Sequence, residues 1–256
     1  MSFHFIQLSV SIPAVIRHLK VTGRAGDLRK ADDGLLIKTA LNETFGQKDA
    51  AGAQIWPKPF QVVGRQQNGT ATVVAYSPLS VEDLLQAWHP MPSLAAAIDR
   101  DAVFGYGMAD LAQGTRQRFS VTFCPMLSTY GDRSRGIKPI ALDAYRMEHM
   151  RAEKEGREAR PRGEVYLDFL RRRLEPAVAI EQVQLGGFTL ADVARDAPGA
   201  KGDMSIKVPV ATMHGVLQVR DGAAFSQLLR TGIGKRRAYG NGMILIGASA
   251  QALKAA

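Results

Sequence analysis

Hydrophobic and polar positions alternate at the start of the chain: Ile6, Leu8, Val10 and Ile12 are separated by Gln7, Ser9 and Ser11. A period of two over residues 3–12 predicts a half-buried strand. After Pro13 comes a basic stretch with Arg17, His18, Lys20, Arg24, Arg29 and Lys30, punctuated by Gly23 and Gly26. It is expected to be mostly exposed loop or short helix. From Asp32 or Asp33, Leu35, Ile37, Leu41 and Phe45 approach helical spacing and stop at Gly46, which predicts a first helix. Residues 60–63 and 71–76 flank an Asn68-Gly69 turn and read as an antiparallel hairpin. Ser80 then resembles an N-cap, with Val81, Leu84, Leu85 and Trp88 on one apolar face, and this second helix should end near His89-Pro90. A weaker strand is predicted at 102–106.

The same order returns in the second half. Phe119, Val121 and Phe123 alternate with Ser120 and Thr122, and a helical region comes next over about 143–174, broken at Pro161. Strands are predicted at 178–185, 188–190 and 205–219, a helix from Asp221 through Phe225, Leu228 and Leu229, and a last strand at 243–246. Strand, helix, paired strands, helix, strand is the ferredoxin-like order, and here it occurs twice. The expected class is therefore α+β, with one module over 1–108 and another over 115–256, the boundary lying within 105–114. The second module would carry a basic helical insertion.

Composition narrows the function classes. A chain of 256 residues, 46% hydrophobic and 22% charged, is balanced like a folded soluble protein. Its formal net charge of +9 favours a polyanionic partner, nucleic acid ahead of an anionic membrane because no basic amphipathic anchor stands out. The lone Cys124 lies in an apolar strand-like run, where a small core residue is the ordinary reading, and one cysteine gives no intrachain disulfide. A reducing cytoplasm is the expected compartment. No signal-peptide pattern or membrane-length apolar run is apparent. The five histidines, His4, His18, His89, His149 and His214, show no metal-ligand spacing.

The stretch richest in candidate chemistry is Gly232-Ile233-Gly234-Lys235-Arg236-Arg237-Ala238-Tyr239-Gly240-Asn241-Gly242, just before the last strand. Glycines permit tight turns and close approach, and three consecutive cations attract a phosphate backbone. A surface hairpin with solvated charge is the plain alternative. The spacing fits neither Gly-x-Gly-x-x-Gly nor a P-loop, and the loop lies between helix and strand, the reverse of a nucleotide-binding order.

With residues 232–234 and 239–246, the helix from Asp221 and the strand before it, the chain resembles the CRISPR-associated endoribonucleases that process repeat RNA. These are small proteins of two tandem ferredoxin-like (RRM-like) modules with a glycine-rich loop before the last strand. The element order matches over nearly the whole chain, the sequence mainly over its last 45 or so residues; the small type I-E and type IV members look closest. The resemblance implies metal-independent cleavage of precursor CRISPR RNA at the 3' base of a repeat hairpin, with no cofactor. It also implies retention of the product and assembly with other subunits of an effector complex; no membrane is involved. A 2'-hydroxyl attacks the neighbouring phosphorus, so the site must move protons and stabilise charge on phosphoryl oxygens.

Many members place a catalytic histidine at or near the first helix, and the helix read here, 33–45, has none. His18 upstream is one candidate; Arg24, Arg29 and Lys38 are others, with Lys38 the better proton carrier because a guanidinium does not give up its proton. Each also reads as a solvated surface charge. A non-catalytic CRISPR RNA-binding subunit is the alternative function, and it also accounts for the missing histidine.

For RNA binding the candidates are Gly232, Gly234, Lys235, Arg236, Arg237, Tyr239, Gly240 and Gly242. If 143–160 is one helix, Arg146, His149, Arg157 and Arg160 share a quadrant and form a basic finger. A salt-bridged solvated helix is equally consistent, since nine Lys/Arg against six Asp/Glu over 146–173 leave a small net charge. Tyr130 and Tyr239 are candidate stacking residues.

Overall fold

The computed structural model describes residues 3–24, 32–48, 50–128, 140–194 and 205–247. The first half contains β1 (Phe3–Ser11), α1 (Ile12–Val21), α2 (Asp33–Phe45), short strands β2 (Gln47–Lys48) and β3 (Gln54–Ile55), β4 (Phe60–Arg65), β5 (Thr70–Ser77), α3 (Val81–Gln86) and β6 (Phe104–Met108). The second contains β7 (Arg116–Phe123), β8 (Met126–Ser128), β9 (Ala141–Asp143), α4 (Ala144–Glu155), α5 (Arg162–Leu174), β10 (Val178–Ala194), β11 (Ser205–Val219), α6 (Gly222–Thr231) and β12 (Ile244–Ile246). The two main sheets have orders β4-β5-β1-β6 and β10-β11-β7-β12, with antiparallel neighbours. Each places its first strand between its third and fourth, the ferredoxin-like arrangement, twice over.

Local chemistry explains most element ends. Asp32 caps α2 by accepting from Leu35 N at 2.7 Å, and Ser80 with Asp83 forms a reciprocal capping box on α3. Asp221 caps α6 by accepting from Ala224 N at 2.9 Å.

Several expectations are corrected. Of the two alternatives for the stretch after Pro13, the short helix forms, as α1, but it is packed and not mostly exposed: Ser11 is its N-cap, Pro13 lies in the first turn, and Ala14, Val15, His18 and Leu19 are buried. Proline fits there because the first helical N–H groups have no intrahelical acceptor. The strands expected at 178–185 and 188–190 are one strand, β10, which absorbs two register irregularities, between Ile180 and Gln182 and between Leu185 and Gly187. The helix expected to run through Arg160 ends at Gly156, whose φ of 65° is left-handed, and α5 starts afresh after Pro161. Nor is this segment a projecting finger. α5 buries Val165, Tyr166, Phe169, Leu170 and Leu174 in the core of the second module.

The core explains how the modules join. Ile6, Leu8 and Val10 of β1, with Ala71, Val73 and Ala75 of β5, pack under α1, α2 and α3. Phe3 and Phe5 of β1 with Val74 and Tyr76 of β5 form the opposite face and belong to the other cluster, with Phe119, Val121 and Ile244. The first sheet is thus apolar on both faces, one for its own helices and one for the second module. The Tyr76 hydroxyl crosses this interface and donates to Ile244 O at 2.8 Å.

Candidate nucleic-acid interface

The glycine-rich segment is a closed loop whose neck is pinned by backbone hydrogen bonds. Ile233 N donates to Gly242 O at 2.9 Å, and Gly242 N donates to Thr122 O of β7 at 2.6 Å. A Cβ on Gly242, where φ is +86°, would lie 2.0 Å from Ile233 O, so this position excludes every side chain. At the tip, Arg236 adopts φ +61°, a left-handed conformation that a side chain disfavours. Tertiary contacts hold it there: its guanidinium donates to Asp32 Oδ2 at 3.2 Å and lies 4.4 Å from the centre of the Tyr239 ring.

The loop therefore is not a free surface hairpin. It docks on the first turn of α2, in the other module. A Cβ on Gly34 would come 2.2 Å from Tyr239 O, so the loop backbone occupies the space a side chain there would need. Four residues on, along the same helix face, Lys38 Nζ donates to Tyr239 Oη at 3.0 Å and sits 4.5 Å from its ring centre. Asp33 beside them is ion-paired with Arg65.

Against the loop lies a cleft of about 620 Å³ whose wall includes Lys58, Arg230, Lys235, Arg236, Arg237 and Tyr239, with no carboxylate among its lining residues. Four of its cations, Lys58, Arg230, Lys235 and Arg237, and a fifth, Arg236, that is ion-paired with Asp32 make it an anion site. Burial, and then the charge of Arg237, depress the Lys58 pKa below the usual lysine range. Lys235 and Arg237 are exposed, their ends steered by Ser128 Oγ at 2.8 Å and Thr231 O at 3.0 Å.

The family model described as CRISPR associated protein matches residues 39–247, more than half of the chain. The chain belongs to this family. No curated protein sequence matches it. Among solved structures, the CRISPR endoribonuclease Cse3 bound to a 19-nucleotide RNA aligns over 96% of this chain and 100% of its own, with TM-score 0.58 and 16% identity. Cas6e from Escherichia coli K-12 aligns over 96% and 99%, with TM-score 0.57 and 14% identity. Thermus thermophilus Cse3, bound to an RNA representing a pre-cleavage complex, aligns over 96% and 100%, with TM-score 0.57 and 16% identity. At these identities the likeness is one of fold.

Within this CRISPR-associated chain, the sequence-predicted residues separate. Lys38, Arg236 and Tyr239 converge at the contact between the modules, and Lys235 and Arg237 line the adjoining cleft. His18 lies elsewhere and is fully buried on α1, not exposed: its Nδ1 is 2.8 Å from Ser93 Oγ and its Nε2 2.8 Å from Glu43 Oε2. Arg24 pairs with the same Glu43, at 2.6 Å, making a cluster that ties α1 to α2. Arg29 and Tyr130 lie outside the described residues.

The supposed basic quadrant does not form. Arg146 and His149 are exposed on α4, but Arg157 and Arg160 turn back to the buried Glu148, with closest approaches of 2.7 and 3.2 Å. Their hydrogen bonds hold the Glu148 carboxyl down at about 2. Cys124 is a core thiol that burial pushes up to about 12. Among the described residues, no group of three His, Cys, Asp or Glu side chains is placed to hold a metal ion, and no helix is long and apolar enough to cross a membrane.

Sequence reading missed Gly34, Lys58 and Arg230. The spacing of Gly34 and Lys38, one helical turn apart, was visible as a shared face; Lys58 and Arg230 carried no local signal.

Proposed function

We propose that this protein is an endoribonuclease that cuts precursor CRISPR RNA at the 3' base of a repeat hairpin, without a metal ion, and keeps hold of the product. The observation that carries this reading is the docking of the glycine-rich loop on α2, which sets Lys38, Tyr239 and Arg236 beside a cation-walled cleft. Family membership and the RNA-bound Cse3 structures of the same fold support it. The cleft takes the phosphate backbone, and the scissile phosphate lies at the Lys38–Tyr239–Arg236 cluster. There the 2'-hydroxyl gives up its proton to water as its oxygen attacks phosphorus in line, the P–O5' bond breaks, O5' takes a proton, and a 2',3'-cyclic phosphate and a 5'-hydroxyl result. Arg236, its charge permanent and its guanidinium fixed by Asp32, stabilises the phosphoryl oxygens. Lys38 is the proton carrier to the departing oxygen, and Tyr239 orients its ammonium. A site that works mainly by position and charge turns over slowly.

The test is cleavage of a repeat hairpin in EDTA, with the new 3' end identified. The native protein yields a cyclic phosphate, while Lys38→Ala and Arg236→Ala each lower the single-turnover rate by about 10² or more, in the range of one positioned acid or one charge-stabilising donor. Undiminished cleavage by both variants overturns the assignment. A second reading, an RNA-binding subunit of an effector complex that does not cut, is favoured by one observation: the cleft's lining residues include no histidine. Tight hairpin binding with no cleavage by the native protein would establish it.

A further inference from the structure

Lys58 and Arg230 belong to two cavities at once. Besides the cationic cleft they line an adjoining slot of about 180 Å³, enclosed by Ile55, Trp56, Tyr76 and Ser77. Trp56 and Tyr76 are almost wholly buried and give the slot an aromatic floor. Lys58 Nζ is 5.3 Å from the centre of the Trp56 ring and donates to Gln54 O at 3.0 Å, which holds its charge at the mouth. In the shared wall, Arg230 Nε is buried and has no hydrogen-bond partner among the described residues. A buried donor left unmade is costly, so an acceptor brought to it is favoured.

These features specify a ligand with two parts. Two cations at a mouth select an anion; an apolar aromatic floor with an unmatched N–H selects a flat ring with an acceptor edge. The slot has roughly the space of six waters in the liquid, enough for one ring system and not for a base pair. On the proposed function, which this inference rests on, the RNA to one side of the cut is paired stem. The nucleotide beyond the cut is unpaired, and its base is free to splay into a pocket.

We propose that the slot takes the base of the first unpaired nucleotide on the 3' side of the cut, with Lys58 and Arg230 gripping its phosphate. That nucleotide leaves with the downstream fragment. The precursor therefore carries an anchor that the product lacks, and the slot, by its shape and its polar edge, makes the protein selective for the nucleotide immediately downstream of the hairpin.

The experiment measures binding of the full chain to fluorescein-labelled repeat stem-loops blocked by a 2'-deoxy nucleotide at the cut. Three RNAs are compared: no 3' flank, a one-nucleotide flank lacking its base, and the same flank with its base. The base is expected to tighten binding at least about fivefold over the abasic flank, the lower end of what one stacked base supplies. The abasic flank is expected to bind tighter than none, an advantage that Lys58→Ala with Arg230→Ala removes. Ile55→Trp, which fills the slot, should abolish the difference between base and abasic RNA. Equal affinity of the native protein for base-bearing and abasic flanks overturns the proposal while leaving hairpin processing intact. Failure to bind any of the three stem-loops overturns both.

Discussion

Replacing Gly34 by alanine separates two opposite forces. In a helix, glycine to alanine ordinarily adds up to about 1 kcal/mol of stability, because glycine gives up more backbone freedom on folding. Gly34 occupies the first turn of α2, and by propensity alone Gly34→Ala should stabilise. The added methyl, however, would sit 2.2 Å from Tyr239 O, where ordinary contact begins near 3.4 Å, and the obstacle is backbone. Something must move by about 1 Å, and forced overpacking of this kind costs typically about 1–3 kcal/mol. The loop is the part to yield, because α2 is anchored by Leu36, Ile37, Ala40 and Leu41 in the core. Its displacement pulls Tyr239 from Lys38 and Arg236 from Asp32, and a misplacement of about 1 Å in a positioned site costs on the order of 10² in rate. Urea denaturation and single-turnover cleavage together are the assay. The expected result is a variant no more stable than the native protein, cutting about a hundredfold more slowly. A variant that is more stable and cuts at the native rate refutes the contact and the site built on it.

The same geometry makes the cations of the loop unequal. Lys235→Ala with Arg237→Ala should flatten the salt dependence of hairpin binding by up to about 1.8 units of log–log slope, at ~0.9 per neutralised phosphate as for duplex DNA, whereas Arg236→Ala, already paired with Asp32, should change it less; fluorescence anisotropy across a salt series decides. Glu148, with its pKa lowered to about 2 by Arg157 and Arg160, contributes stability that is present above its unfolded value near 4.5 and is lost as pH falls towards 2. The gap in urea midpoint between native protein and Glu148→Gln should accordingly be widest at neutral pH and close in acid. Cys124, buried and with its thiol pushed up to about 12, should resist an aromatic disulfide reagent at pH 8 until the protein is unfolded in urea; rapid labelling of the folded protein would contradict its placement.

The elements legible without the structure were those that neighbouring residues decide among themselves. Alternation at Ile6, Leu8 and Val10 marks a strand, and Ser80 with Asp83 marks a helix start, because both signals are complete within a few positions. The doubled element order, with a glycine-rich loop before the last strand, comes from such signals in series. The stop at Gly156 was passed over, because the charge pattern continues past it through Arg160.

Tertiary structure decided whatever depends on a distant partner. A histidine among cations reads as exposed until Ser93 and Glu43, 75 and 25 positions away, close on both nitrogens of His18. Arg157 and Arg160 read as a nucleic-acid face until a buried carboxylate claims them, since an unpaired buried charge costs far more than a surface cation gains from solvent. The second apolar face of β1 had meaning only once the second module was there to cover it. The candidate site obeys the same logic: Lys38 and Tyr239 are 201 positions apart, and no local period relates them. They meet because burying the inter-module faces brings the loop of one module onto the helix of the other, and Gly34 leaves it room to land.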